Sequence, residues 1–199
     1  MKKLNKISNF FDSLFEKVSS RCYTFIMIMK MKINGVQYNN KIKFFGITKF
    51  KKSSSAIIMI GTNCSFRSTH TSNLIGVNRP CIFSALTAEA VLKVGDNCGF
   101  SGTVIGCFNE IILEDNVRCG ANTLITDSDW HLDDPRVGKS TPIKICKNVW
   151  LGEGVKVLKG VVIGENTVIG AGSIVTKSIP DNVIAAGNPC RVIKAIEKK

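Results

Sequence analysis

The fold is decided by residues 145–180, which read ICKNVW LGEGVK VLKGVV IGENTV IGAGSI VTKSIP as six consecutive hexads. Each hexad opens with an aliphatic residue, namely Ile145, Leu151, Val157, Ile163, Ile169 and Val175. An α-helix repeats its apolar face every 3.6 residues and a strand every two, whereas a strict six-residue repeat is typical of hexapeptide β-helices. Three hexads make one triangular coil. The pattern therefore predicts an all-β fold, a parallel β-helix whose stacked coils bury an aliphatic ladder.

The hexad spacing continues upstream with interruptions. It is visible at Ile60 and Phe66, slips over residues 71–92, returns at Val94 and Phe100, and resumes at Leu113, Cys119 and Ile125. Each slip predicts a protruding loop. Because 199 residues suit one folding unit, we predict a single domain over residues 1–199. Its expected parts are an N-terminal helical segment (1–31), the β-helix (33–180) and a C-terminal cap (181–199).

The two ends of the chain carry helical signals. Residues 7–18 place Ile7, Phe10, Phe11, Leu14, Phe15 and Val18 on one helical stripe. We expect this amphipathic helix to pack on the coil or on a neighbouring subunit; the alternative is a weak contact with a membrane surface. At the other end, Pro189 followed by RVIKAI predicts a short helix folded over the last coil.

Charge and cysteine content narrow the functional classes. The net charge of +12 favours a polyanionic partner, but the chain has no recognised nucleic-acid motif, so nucleic acid is not an expected partner. The best apolar run near the start, FIMIM, is too short for a signal peptide, and the eight cysteines form no C-x-x-C pair. We therefore expect reduced thiols and a cytoplasmic protein, with Cys64 and Cys98 as small buried residues of the repeat.

The longest break in the later repeats, residues 126–144, contains the sequence TDSDWHLDDPR. It carries His131, one of only two histidines in the protein. Loops that leave a rigid scaffold commonly carry function, so this loop is the first candidate for an active site.

Four segments carry a resemblance to a known family. They are IILEDNV (111–117), ITDSDWH (125–131), NVWLGEGVKVLKGVVIGENTVIGAGSIVTKSIP (148–180) and AAGNPCRVIK (185–194). Together they resemble the hexapeptide-repeat acyltransferases, and residues 148–194 are most similar to the galactoside, maltose and polysaccharide O-acetyltransferases. This resemblance implies a left-handed coil and a homotrimer with CoA between subunits. It also implies acetyl transfer from acetyl-CoA to a hydroxyl of a sugar or polysaccharide precursor, free or linked to a nucleotide or lipid.

The resemblance also implies roles for individual residues. His131 is the expected general base, since an imidazole with a pKa near neutrality can take the proton of an acceptor hydroxyl. Either Asp127 or Asp129 would orient it. No metal is expected to be required.

The implied CoA-binding residues are Trp150, Glu153, Ala171, Thr176, Lys177, Arg191 and Lys194. Trp150 would line the pantetheine arm, and Ala171 and Thr176 would supply hydrogen bonds. The basic residues would neutralise the CoA phosphates. Glu153 stands where many relatives have a small residue. For the acceptor, the family directs attention to Ser101 and Thr103, one coil before the loop.

Three alternatives stay open. An N-acyltransferase acting on an amino sugar would use the same fold and base. A γ-type carbonic anhydrase would hold zinc with three histidines, and two histidines leave such a site one ligand short. A non-catalytic coil used for assembly would need neither the DSDWH sequence nor the basic tail.

Overall fold

The computed structural model describes residues 2–197, with side chains from residue 14 onward. In this part of the chain one helix, α1 (Lys2–Ile33), precedes twenty strands. The first three coils comprise β1 (Gln37–Tyr38), β2 (Lys43–Phe45), β3 (Lys49–Lys52), β4 (Ile57–Ile60), β5 (Ser65–Arg67), β6 (Ile82–Ala85), β7 (Val91–Val94), β8 (Gly99–Ser101) and β9 (Val104–Cys107). The next three comprise β10 (Glu110–Leu113), β11 (Arg118–Cys119), β12 (Leu124–Thr126), β13 (Ile143–Ile145), β14 (Trp150–Leu151), β15 (Lys156–Val157), β16 (Val162–Ile163), β17 (Val168–Ile169) and β18 (Ile174–Val175). A hairpin of β19 (Val183–Ala186) and β20 (Arg191–Ala195) follows.

The strands form three sheets, which are the three faces of a prism. Face 1 has the order β1-β4-β7-β10-β13-β16, face 2 the order β2-β5-β8-β11-β14-β17-β19-β20, and face 3 the order β3-β6-β9-β12-β15-β18. Neighbouring strands are parallel except for β19 and β20. The predicted left-handed parallel β-helix is therefore confirmed.

The hexad residues line the inside of this prism, as predicted. All six residues that open the hexads of 145–180 are 0% exposed. They form three ladders rather than one, because each coil in this segment is eighteen residues long and gives one of these residues to each face. The pairs are Ile145 with Ile163, Leu151 with Ile169, and Val157 with Val175.

Asparagines shape the turns between faces 1 and 2. A turn this tight needs a residue in the left-handed region, which asparagine tolerates better than most other residues. Six of these turns contain an asparagine with a φ between 57° and 61°: Asn63, Asn97, Asn116, Asn148, Asn166 and Asn182. Side-chain amides of successive turns also bond to each other, as Asn148 Nδ2 donates to Asn166 Oδ1 at 2.9 Å.

The core changes in character along the prism. The first coils bury phenylalanines, and Phe44, Phe66 and Phe100 stack with centroid separations of 4.8 and 5.2 Å. The later coils bury the aliphatic residues. Cys64 and Cys98 are each 1% exposed, so their prediction as buried repeat residues is confirmed.

The N-terminal helix is confirmed and packs on the coil, but not through the part of the predicted stripe whose side chains are described; packing of that stripe on a neighbouring subunit stays a prediction. Leu14, Phe15 and Val18 are exposed, while those of Ile7, Phe10 and Phe11 lie outside the described side chains. The opposite side of α1 packs on the first coil instead. Its contact residues are Met27 and Met31, which enter the core, and Thr24, whose Oγ1 accepts the Phe44 N–H at 3.0 Å. No helix in residues 2–197 has the length and apolarity to cross a membrane.

The predicted C-terminal helix is wrong. Residues Arg191–Ala195 form β20, which pairs antiparallel with β19. A solenoid ends in a strand with unpaired backbone groups, and a returning strand covers that edge. The five residues of β20 are exposed, so no apolar stripe holds them as a helix on the coil.

Candidate active site

The loop that carries His131 leaves the edge between faces 3 and 1. It spans residues 127–142, slightly less than the predicted 126–144, because β12 extends to Thr126 and β13 begins at Ile143. We call it the DSDWH loop. The corresponding positions of the next two coils follow β15 and β18, since Leu124, Lys156 and Ile174 are in register.

Asp127 anchors the base of the DSDWH loop. Its buried carboxylate accepts the N–H of Phe108 at 2.7 Å and the N–H of Asn109 at 2.8 Å. Its backbone carbonyl accepts the N–H of Thr141 at 3.0 Å, which joins the two ends of the loop. Burial raises the pKa of the Asp127 carboxyl, and the two N–H donors act in the opposite direction. Asp127 therefore fixes the loop itself rather than the imidazole.

Trp130 braces the loop from the residue before His131. Its Nε1–H donates to Thr126 Oγ1 at 3.0 Å, and its ring meets Phe108 edge to face at 5.3 Å. Trp130 has a φ of 73°, which is unusual for a bulky residue. The indole also lies against the Cα of Gly106, where a side chain would overlap it.

Lys159 connects the outer part of the loop to the next coil. Its ammonium pairs with the Asp129 carboxylate and donates to the Gly138 carbonyl at 3.2 Å. No sequence pattern indicated a role for this residue. Its partners lie 30 and 21 positions away, and nothing in the hexad VLKGVV distinguishes it from a solvated lysine.

His131 itself is exposed at the tip of this braced segment. Its backbone N–H donates to the Asp129 carbonyl at 3.0 Å, and its carbonyl accepts the Asp134 N–H at 3.0 Å. Among the described residues, neither Asp127 nor Asp129 is hydrogen-bonded to the imidazole. The two carboxylates instead hold the loop and Lys159, as described above.

The predicted CoA residues fall into two groups. The first group lies on face 2 and at its edge with face 3. Trp150 and Lys194 lie on face 2, and Arg191 pairs with Ala186 at the end of that face. Glu153 and Ala171 occupy successive turns of the edge between faces 2 and 3, where the Gly172 N–H donates to the Glu153 carbonyl at 2.7 Å.

Thr176 and Lys177 belong to the other edge. They directly follow β18, at the edge between faces 3 and 1. Lys159, two residues after β15, occupies the same edge one coil earlier and already contacts the DSDWH loop. Thr176 and Lys177 therefore share an edge with His131, and the other five predicted CoA residues do not.

The predicted acceptor residues lie at the edge between faces 2 and 3. Ser101 is 7% exposed, and its Oγ accepts the Asn73 Nδ2–H at 3.1 Å. Thr103 is fully buried, and its Oγ1 has no hydrogen-bond partner among the described residues.

A cleft of about 1090 Å³ lies beside Ser101, between α1 and the loop that follows β5. Arg67 and His70 line it. The Arg67 guanidinium stacks over the Phe45 ring at 4.3 Å and contacts Glu16 of α1 at 3.1 Å. The register slip over residues 71–92 predicted a loop here. The cleft could not be predicted, because it forms between this loop and α1 and neither sequence alone indicates that they meet.

The described part of the chain contains no candidate metal cluster, and Cys190 is not an activated thiol. This part of the chain contains no group of three or more His, Cys, Asp or Glu that could hold a metal ion. Cys190 is buried, and burial raises the pKa of its thiol. A raised pKa lowers the thiolate fraction, which does not favour a nucleophilic role.

Comparison with known proteins agrees with this architecture. Residues 142–177 match the profile described as bacterial transferase hexapeptide (six repeats). The galactoside O-acetyltransferase of Escherichia coli (strain K12) is 44% identical over 116 residues, covering 53% of this chain and 57% of that protein. The galactoside O-acetyltransferase of Lactococcus lactis subsp. lactis (strain IL1403) is 43% identical over 114 residues, covering 51% and 55%. The chain thus spans a little over half the length of these curated relatives.

Among solved structures, a mutant of the N-acyltransferase AntD from Bacillus cereus, in complex with dTDP-4-amino-4,6-dideoxyglucose and coenzyme A, superposes with a TM-score of 0.66. It is 20% identical, and the match covers 85% of this chain and 89% of that one. At this identity the likeness shows the fold alone. The hexad repeat and the three-faced coil agree with the profile match, so the chain contains a bacterial transferase hexapeptide repeat and is similar over about half its length to the galactoside O-acetyltransferases.

Proposed function

We propose that this protein transfers an acetyl group from acetyl-CoA to a hydroxyl of a sugar or polysaccharide precursor, with His131 as general base. In the forward step the acceptor oxygen bonds to the thioester carbonyl carbon while the imidazole takes the hydroxyl proton. Collapse of the tetrahedral intermediate breaks the carbon–sulfur bond, and the imidazolium returns the proton to the thiolate. The products are an O-acetyl ester and CoA. General-base help of this kind contributes roughly a hundredfold to ten-thousandfold.

The observation that carries this proposal is the bracing of the segment that presents His131. Three independent contacts hold it: the Asp127 carboxylate on two backbone N–H groups, the Trp130 indole on Thr126, and Lys159 on Asp129. A solvated loop without function needs no such bracing, whereas a general base must lie within about 2.6 to 3.2 Å of the oxygen whose proton it takes.

The distribution of the predicted site residues supports a site shared between subunits. His131, Thr176 and Lys177 lie at one end of the face 3 strands, and Glu153 and Ala171 lie at the other end. Five residue steps separate Ala171 from Thr176, and at about 3.3 Å per step the two edges are roughly 15 Å apart. A groove that uses both groups would form where the edge of one copy meets the opposite edge of the next. We therefore propose a homotrimer with CoA in each groove.

In this arrangement Thr176 and Lys177 of one copy would meet the cofactor from the edge of His131, and the other five predicted residues would meet it from the neighbouring copy. Arg191 and Lys194 lie on exposed β20, free to meet the CoA phosphates. Trp150 is half exposed on face 2 and can line the pantetheine arm. The backbone at Glu153 and Ala171 can supply hydrogen bonds along the edge.

For the acceptor, we propose that Ser101 and Thr103 border the binding site, on the edge that would meet the neighbour's His131. The unpartnered Oγ1 of Thr103 supports this assignment only in part, since the hydroxyl is fully buried. The proposed compartment is the cytoplasm, where reduced thiols such as the buried Cys81 and Cys98 are the usual state.

The test is a comparison of His131→Ala with His70→Ala, because these are the only two histidines in the chain. CoA release from acetyl-CoA would be followed over a panel of sugars, sugar nucleotides and amino sugars. We expect His131→Ala to lower kcat by a hundredfold or more, roughly the size of a general-base contribution, and His70→Ala to keep most of the activity. Both variants should bind CoA like the parent protein in calorimetry.

Three results would contradict the proposal. Retained turnover in His131→Ala would show that His131 is not the general base. Acceptance of amino sugars alone would favour an N-acyltransferase. Failure of the parent protein to bind CoA would favour a non-catalytic coil.

A further inference from the structure

Over residues 14–33, where its side chains are described, helix α1 has two apolar sides, and only one of them packs on the coil. The inner side packs on the first coil through Met27 and Met31, which are 1% and 0% exposed. The outer side presents Val18 and Phe25, which are 52% and 70% exposed. At 100° per residue the two sides lie about 180° apart.

The outer side forms a continuous stripe, called here the outer stripe. Its described members lie within an arc of about 120° on the helix. They are Leu14, Phe15, Val18, Phe25, Ile26, Met29 and Ile33, and each is at least 42% exposed. Scattered single apolar residues on a surface need no explanation, but a contiguous apolar stripe marks an interaction surface.

Basic residues border the outer stripe on both sides. Lys17, Arg21 and Lys32 fall on one flank and Lys30 on the other, and all four are exposed. Glu16 is the sole carboxylate between residues 14 and 33, and it turns inward to Arg67 at 3.1 Å. The outward side of α1 is therefore apolar along its centre and cationic along its borders.

The positive charge continues into the coils that α1 covers. Residues 17–88 contain eleven Lys and Arg and no Asp or Glu, so nearly all of the net charge of +12 lies in this part of the chain. These residues form α1 and the first two coils. The N-terminal end of the prism is consequently a strongly cationic end.

We infer that the outer stripe docks on an anionic lipid surface, with its apolar residues in the interfacial layer and its basic flanks at the headgroups. An amphipathic helix with aromatic and aliphatic residues on one side and Lys and Arg beside them has this binding mode. A second copy of the chain fits less well, because packing stripe on stripe brings like charges together. A nucleic acid would satisfy the cations but leave the apolar residues in water. This docking does not depend on the proposed transfer reaction.

The experiment measures co-sedimentation of the full chain with lipid vesicles. One set contains phosphatidylcholine alone and the other contains phosphatidylcholine mixed with phosphatidylglycerol. We expect binding to the anionic set only, and we expect it to weaken in 1 M NaCl, where charges are screened beyond about 3 Å.

Two double variants separate the two parts of the surface. Val18→Ser with Phe25→Ser removes apolar area, and serine has a helix propensity close to those of valine and phenylalanine. We expect a loss in partition coefficient of about tenfold or more. Lys17→Gln with Arg21→Gln should lower the partition coefficient onto anionic vesicles by about thirtyfold at low salt. Val162→Ser, at a 45% exposed position of the sixth coil, is the control and should bind like the parent protein.

Circular dichroism verifies that each variant keeps its helix. Equal binding to both vesicle sets would overturn the inference, as would full binding by the Val18→Ser, Phe25→Ser variant. Absent vesicle binding would also overturn it. If that variant then changed the oligomeric state in gel filtration, the outer stripe would belong to a second copy.

Discussion

Substitution of Gly106 by alanine tests whether the Trp130 indole positions His131. Gly106 lies in β9 with an ordinary extended backbone, so the change introduces no backbone strain. An added Cβ would, however, overlap Cζ2 of Trp130 and lie 3.2 Å from both Cε2 and Cη2. The ring would have to withdraw by about 1 Å to restore normal contact distances.

That displacement reaches the proposed base through one peptide unit. Trp130 is half exposed, so the ring can move outward, but the movement strains its 3.0 Å bond to Thr126 and shifts His131. A misplacement of about 1 Å in a catalytic group can cost about a hundredfold in rate. We expect Gly106→Ala to lower kcat by about that factor while the free energy of unfolding changes by less than about 2 kcal/mol.

The assay is CoA release with the best acceptor from the panel, combined with urea unfolding and Trp fluorescence. The matched control is Gly99→Ala in β8, where an added Cβ meets nothing nearer than Ser65 Oγ at 3.6 Å. Combining Gly106→Ala with Trp130→Ala should cost no more than Trp130→Ala alone, since the overlap is then gone. If Gly106→Ala were as active as Gly99→Ala, the indole would not position His131.

Two further predictions concern stability and thiol chemistry. Ile163→Ala removes a fully buried side chain and should lower the free energy of unfolding, measured in urea, by about 2 to 5 kcal/mol. Val162→Ala, at the neighbouring 45% exposed position, should lower it by less than about 1 kcal/mol. Similar losses in the two variants would argue against a packed ladder. Of the eight cysteines only Cys22 is exposed, and burial raises the pKa of Cys81 to about 11. At pH 8 the folded protein should therefore react with iodoacetamide fastest at Cys22 and more slowly at the partly exposed Cys146, and mass spectrometry finding rapid labelling of the six buried thiols would contradict their burial.

The coil itself could be predicted because its cause is local. A buried residue every six positions and a turn-forming asparagine between faces 1 and 2 are properties of consecutive residues, as in the hexad that holds Asn166 and Thr167. The break that contains His131 was visible for the same reason. Its boundaries differ from the predicted ones by one or two residues only, since β12 extends to Thr126 and β13 begins at Ile143.

The ends of the chain could be predicted less well. The periodicity of residues 7–18 indicates a helix but cannot say which side faces the coil, and α1 turned out to use Met27 and Met31 further along for that purpose. Arg191–Ala195 has no pattern that separates a short helix from a strand. The residues form a strand because they pair with the open edge of β19, and that edge forms only when the prism has folded.

By itself, the sequence determined the six-residue rhythm, the three-faced coil and the loop that carries the proposed base. Only the tertiary structure decided the contacts of Asp127 and Lys159, and it separated Thr176 and Lys177, on the edge of His131, from the other predicted CoA residues on face 2 and at its edge with face 3. The reason is that a repeat acts between neighbours in the chain. The bond from Lys159 to Asp129, in contrast, joins residues 30 positions apart, which only the stacking of one coil on the next brings together.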